Sequence, residues 1–244
     1  GQIQLTSVGP VSGYSSTLAV TTGTLTNAAG GTITAVASAF GSRTLAAALN
    51  NQGTVALPMA LSLTKASAAH VNSGTINVTG GTFTVTQSGT SPSFTNTGTI
   101  AVSAGRTFDV NNGTLDLSAG LVTGTTGTLN TSGVNPLLFS TATVQPRLTL
   151  NTTTIPGTYT IPAGDSLVLV NGSPTMTLVN NGRLVVLGSV ALGGTITTSA
   201  TSVIEPRGTD AYTHATATFA AGFTNNGQIQ LTSVGPVSGY SSTL

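Results

Sequence analysis

A chain of 244 residues with a net charge of +1 and 5% charged side chains, against about 25% in an ordinary globular protein, excludes a nucleic-acid interface, which needs a clustered basic face. Its basic residues, Lys65, Arg43, Arg106, Arg147, Arg183 and Arg207, are scattered. The absence of cysteine excludes disulfide staples and thiolate metal sites, while 39% hydrophobic residues is too apolar for a disordered composition. The 48 Thr, 25 Ser, 31 Gly and 16 Asn favour strands joined by tight turns over helices.

Taken in chain order, short alternating runs are closed by Asn and Gly. Ile3 and Leu5 alternate with polar neighbours. Asn27 to Gly31 turns into Thr32-Ile33-Thr34, and Asn51-Gln52-Gly53 leads into Thr54-Val55-Ala56-Leu57. Asn72-Ser73-Gly74 precedes Thr75 to Val78, and Gly80-Gly81 precedes Thr82 to Val85. Asn96-Thr97-Gly98 precedes Thr99 to Val102, and Asn112-Gly113 precedes Thr114 to Leu117. Asn135 to Pro174 is less regular and carries five of the ten prolines, residues expelled from strand interiors. It reads as wider corners or a loop, yet keeps strand-like runs at Leu148–Leu150 and Leu167–Val170. Asn181-Gly182 then leads into Arg183 to Val186. Period-two alternation over four to six residues between such turns predicts strands with one face buried.

Two longer periods organise these strands. The turn glycines Gly30, Gly53, Gly74 and Gly98 follow one another at nearly even spacing. That spacing predicts an all-β, right-handed parallel β-solenoid (β-helix) with rungs of about 21–24 residues. Ile76, Val78, Phe83, Val85, Ile100, Val102, Leu115 and Leu117 are expected as its internal stack, with intervening Thr, Ser and Asn facing water. Asn72, Gly74, Asn96, Gly98, Asn112, Gly113, Asn181, Gly182, Asn226 and Gly227 are expected as structural turns, tolerant of positive φ. An antiparallel sandwich is the competing architecture, but its turns recur every ~8–12 residues without a longer period. The second period is exact: Gly227 to Leu244 reads GQIQLTSVGPVSGYSSTL, and Gly1 to Leu18 reads the same, letter for letter. Residues 1–226 are therefore expected to be one repeat unit and 227–244 the start of the next, a window from a longer tandem array. Ten rungs at about 4.8 Å would give an axial repeat of roughly 50 Å.

The phrases Asn96-Thr-Gly-Thr-Ile-Ala-Val102, Asn112-Gly-Thr-Leu-Asp-Leu-Ser-Ala-Gly120 and Asn226-Gly-Gln-Ile-Gln-Leu231 resemble the repeats of bacterial β-helical surface proteins of the filamentous-haemagglutinin and autotransporter-passenger kind. The resemblance covers about two thirds of the chain. It implies export and display at the cell surface. The long identical repeat departs from it, and points to a fibre shaft more than to a single passenger domain.

Catalysis is not expected. Glycan-cleaving β-helices set clustered carboxylates on neighbouring rungs, whereas the acids here are Asp109, Asp116, Asp165, Glu205 and Asp210. Glu205 and Asp210 flank Pro206-Arg207-Gly208 and read as a solvated, charged corner with a local ion pair. His70 and His214 lack partners at metal-ligand spacing and read as turn or surface residues. No metal or cofactor is expected. No apolar run reaches the ~20 residues of a membrane span. Thr-x-Thr pairs such as Thr32/Thr34 and Thr82/Thr84 fit ice or another ordered surface, but recur unevenly. Two functions follow as expectations: a structural shaft of an extracellular filament or giant tandem-repeat surface protein, and alternatively an adhesin holding a glycan or surface through lateral loops or a Thr-rich face. The partner expected first is the chain itself, end to end, with neighbouring fibres or surface glycans after it.

Overall fold

A computed structural model describes residues 1–7, 14–38, 41–139, 144, 147–235 and 239–244. The regular structure of the described residues is strand, without helix, and the strand pairings are parallel. The architecture is a parallel β-solenoid, built as two compact units, residues Gly1–Pro146 and Arg147–Leu244.

In the first unit three ladders run through successive rungs. One joins Gln2–Leu5, Thr32–Ala35, Thr54–Leu57, Thr75–Val78, Thr99–Val102 and Leu121–Thr123. The long strands Ser16–Asn27 and Arg43–Asn51 open the other two. Further along, these continue as Leu61–Ala66, Thr82–Ser88, Thr107–Asn111 and Thr128–Ser132, and as Ala69–Asn72, Ser93–Asn96, Thr114–Asp116 and Leu137–Leu138. Because a strand alternates its faces, in-register stacking sends like residues inward above one another. Ile3, Ile33, Val55, Ile76, Ile100 and Val122 make one column. Leu61, Phe83, Phe108 and Leu129 make a second, where the rings of Phe83 and Phe108 stack at 5.4 Å. The eight stack residues expected from the alternation, Ile76, Val78, Phe83, Val85, Ile100, Val102, Leu115 and Leu117, are all buried. Each such side chain contributes about 1.5–3 kcal/mol on leaving water.

The corners hold a result that alternation alone conceals. Asn27, Asn51, Asn72 and Asn96 end their strands with side chains turned inward, not toward water, and all four are buried. Asn27 Nδ2 donates to Asn51 Oδ1 (2.7 Å), Asn51 Nδ2 to Asn72 Oδ1 (2.6 Å) and Asn72 Nδ2 to Asn96 Oδ1 (2.6 Å). The amides also donate to corner carbonyls, as Asn72 does to Thr99 O at 3.3 Å. Burial of these polar groups is tolerable because each is satisfied.

The glycines two residues after Asn51, Asn72 and Asn96 are needed for space rather than for positive φ. A Cβ on Gly74 would lie 2.1 Å from Gly53 O, and one on Gly98 2.1 Å from Gly74 O. Asn112 and Gly113, by contrast, both sit at φ 62°, the left-handed corner expected of them. Gly74→Ala is therefore expected to cost about 1–3 kcal/mol by pushing two rungs apart. Gly222→Ala, where nothing lies within 4 Å, should stay within about 0.5 kcal/mol. Denaturant midpoints of the two variants check this, and equal midpoints would refute the close-stacking account.

In the second unit the strands Arg147–Asn151, Ser166–Gly172, Arg183–Leu192 and Val203–Gly208 form one ladder, and Thr158–Ile161, Thr177–Asn180 and Ile196–Thr198 another. The runs Leu148–Leu150 and Leu167–Val170 of the proline-rich stretch are thus strands, while Pro136, Pro156, Pro162 and Pro174 lie outside strands. Pro146 lies outside the described residues. Rung length is uneven here. Leu148 pairs with Leu167, Leu167 with Leu184, Leu184 with Ile204, and Ile204 with Ile229. The step from Leu167 to Leu184 is the shortest of these and that from Ile204 to Ile229 the longest. In the first unit the steps from Ile33 through Val55, Ile76 and Ile100 to Val122 are more nearly equal.

Described residues of the repeated segment form strands in both places. The first copy supplies Gln2–Leu5 and the start of Ser16–Asn27. The second supplies Gln228–Ile229, Thr232–Ser233 and Ser241–Thr243.

Candidate functional site

The densest polar construction is on the second unit, around Glu205. Arg183 begins one strand and Glu205 lies within Val203–Gly208, the next strand of the ladder, where Val185 pairs with Glu205. Glu205 is 2% exposed. It is therefore no solvated corner residue: the corner expected at Pro206-Arg207-Gly208 is a strand, and Pro206 sits between two pairings, of Val203–Ile204 with Gln228–Ile229 and of Arg207–Gly208 with Thr232–Ser233. Local sequence hid this because the second partner, Arg183, comes from the neighbouring rung.

Glu205 Oε2 accepts from Arg183 Nε at 2.8 Å and Arg207 Nη2 at 2.6 Å, and Oε1 accepts from Arg207 Nε at 2.9 Å and Thr232 Oγ1 at 2.7 Å. Burial pushes the carboxyl up, but the hydrogen bonds from Arg207, Thr232 and Arg183 and the Arg207 charge outweigh it and hold its pKa at about 2. A carboxylate so fully engaged exchanges no proton near neutrality. What the cluster does is hold Thr232, a residue of the repeated segment.

The other acids serve local structure. Asp109 accepts from Asn130 (2.6 Å) and Asn111 (3.1 Å), Asp116 from Ser118 N–H and Oγ, and Asp165 from Ser166 N–H. Asp210 accepts from Tyr240 Oη at 2.5 Å, which raises the phenol's pKa. Among the described residues no three of His, Asp and Glu gather as metal ligands.

Of the remaining expected turn residues, Asn181, Gly182, Asn226 and Gly227 lie between strands. Gly182 and Gly227, like Gly74, stand where a Cβ would meet a carbonyl oxygen, here at 2.3 Å. Asn226 Nδ2 donates to Thr198 O at 3.0 Å.

The expectation for His70 is corrected outright. It is 1% exposed, in register with Phe94, Leu115 and Leu137 in an interior column. Its Nδ1 accepts from Leu49 N–H at 3.2 Å, so Nε2 carries the proton and finds no acceptor. Burial lowers its pKa from 6.5 to about 4. The imidazole is neutral in the fold and charges more readily when unfolded. Its contribution, on the order of 3 kcal/mol, is complete above pH 6.5 and is lost as pH falls toward 4. Glu205, also lowered, loses its share only below its ordinary range, from about 4.5 toward 2. Melting of the wild type should thus fall between pH 6.5 and 4, and a His70→Phe variant should remain flat there. A wild type already flat across that interval would place His70 in water.

On the outer face, Thr32, Thr54, Thr75 and Thr99 stack one per rung. The adjoining outward column is Thr34, Ala56, Asn77 and Ala101, so this face carries one threonine file and not a two-file array. His214 is exposed, its Nδ1 2.7 Å from Ser241 Oγ. No protein-family model matches the chain, and no characterised protein or solved structure matches it closely enough to carry an argument.

Proposed function

We propose that the chain is a piece of a structural shaft, in an extracellular filament or a giant tandem-repeat surface protein of the bacterial β-helical kind, and that it performs no catalysis. The observation that carries this reading is the segment Gly1–Leu18, which recurs unchanged as Gly227–Leu244 and whose described residues contribute parallel strands in both copies. A solenoid rung presents its backbone on two edges, so a repeating chain extends by stacking without any new kind of contact. The acids support the reading too, since each described carboxylate is committed to a structural hydrogen bond. Surface display is supported by the Asn-x-Gly-Thr phrases. The adhesin alternative draws on the threonine file of the first unit, a regular outward column to which an ordered surface could apply. Electron microscopy of the native assembly separates the two: long filaments of uniform width support a shaft, while discrete particles that bind a glycan array support an adhesin.

A further inference from the structure

Hydrogen-bonding capacity is left over at one lateral groove of the second unit, with a volume of about 230 Å³. Ser166, Arg183 and Val203 line it from three strands in register. Gly164, Asp165 and Thr201 line it from the corners that precede two of those strands. The ladder continues on both sides, through Arg147–Asn151 beyond Ser166–Gly172 and through Gln228–Ile229 beyond Val203–Gly208. The groove therefore lies within the ladder and not at one of its ends.

The chain has six basic and five acidic residues, and one of each lines this groove without pairing with the other. Arg183 directs Nε and Nη2 to Glu205 Oε2, at 2.8 and 2.5 Å, and its Nη1 meets no acceptor among the described residues. Asp165 Oδ1 accepts from Ser166 N–H at 2.7 Å, and its Oδ2 meets no donor among them. The ion pairs of the described residues join Glu205 to Arg183 and Arg207, so Asp165 and Arg183 do not neutralise each other. Ser166 Oγ has no hydrogen-bond partner among the described residues. Thr201 Oγ1 has only long contacts, 3.3 Å each, to Ser199 Oγ and Asn181 O. At the rim, Gly164 has φ 81° and nothing within 4 Å of where a Cβ would stand.

These groups select a ligand by charge. An anion entering the groove meets Asp165, and a cation meets Arg183. A pair of adjacent hydroxyls suits both, since one donates to the carboxylate while the other accepts from the guanidinium. Hydrogen bonds to charged groups are the stronger kind. Ser166 and Thr201 offer hydroxyls to further positions of the same ligand, and Val203 offers an apolar side chain to its C–H groups. The volume is below the ~300–1,000 Å³ of sites that enclose a whole small molecule, which matches one ring of a longer chain of sugars. Asp165 and Arg183 are already oriented by Ser166 N–H and Glu205, so little side-chain freedom is lost on binding.

We propose that this groove binds one neutral sugar residue of a glycan, with Asp165 and Arg183 engaging adjacent hydroxyls. The site goes beyond the shaft reading and does not depend on it. A shaft would present the groove again at each repeat, so that weak single contacts add by avidity.

The test uses the full chain and follows saturation transfer in NMR to cellobiose, maltose, lactose and N,N′-diacetylchitobiose, with glucuronate and glucosamine as charged comparators. Millimolar binding of at least one neutral disaccharide is expected, tighter than that of either charged sugar. Asp165→Asn keeps an acceptor for Ser166 N–H but removes the charge, and Ser166→Leu fills the groove. Each should raise the Kd about fivefold or more while the melting midpoint stays that of the wild type. No transfer from the wild type to any neutral disaccharide would overturn the site. So would transfer that survives both variants undiminished, or a preference for glucuronate. Because single chains suffice, that failure is distinct from failure of the shaft reading, which the presence or absence of filaments decides.

Discussion

Replacing Ile100 by aspartate is expected to cost about 3–8 kcal/mol, a large share of an ordinary stability of about 5–15 kcal/mol. Ile100 is fully buried, with Ile76 and Val122 beside it in register and buried alike. Removing the aliphatic side chain alone costs about 2–5 kcal/mol. The carboxyl then lies among aliphatic neighbours; even protonated, an unpaired polar group adds about 1–3 kcal/mol. Ile100→Val, which keeps the column apolar, should cost only about 0.5–1.5 kcal/mol. Guanidinium titration of the two variants measures the difference, and a shared midpoint would mean that the side chain does not face inward.

The second large effect belongs to the asparagine file. Asn72→Ala should cost about 2–5 kcal/mol, because it breaks two buried amide–amide bonds: it leaves Asn96 Oδ1 without its donor, at about 1–3 kcal/mol, and leaves Asn51 Nδ2 only its longer bonds to the carbonyls of Gly53 and Thr75. Asn27 stands at the end of the file and bonds one asparagine, Asn51. Asn27→Ala should therefore cost about half as much. Thermal melts read this ordering directly, and an Asn27→Ala loss as large as that of Asn72→Ala would reduce these residues to independent corners.

How much of this is legible in the sequence depends on distance along the chain. Thr75–Val78 and Thr99–Val102 are read with the bounds the structure has, because alternation within four residues is a local signal. The parallel solenoid is legible from the glycine spacing. Contacts between rungs are not. Asn51 and Asn72 look like turn formers until the 21-residue step brings their amides together, and the regular recurrence of Asn two residues before Gly is the available signal. His70 is misplaced because a polar residue beside a corner is usually exposed; only the register with Phe94 reveals an interior column. Glu205 is misplaced for a related reason: Arg207 stands two residues on, but Arg183 and Thr232, which complete the enclosure of its carboxylate, lie 22 and 27 residues away.

The central claim, that these rungs belong to a shaft extended by its long repeat, is tested most directly by the axial period of the native assembly. The shaft account predicts filaments with strands about 4.8 Å apart along the axis and a longer period of roughly 50 Å, visible as layer lines in diffraction from aligned fibres. A discrete, capped particle in solution, or a filament whose long period is far from that value, would contradict it.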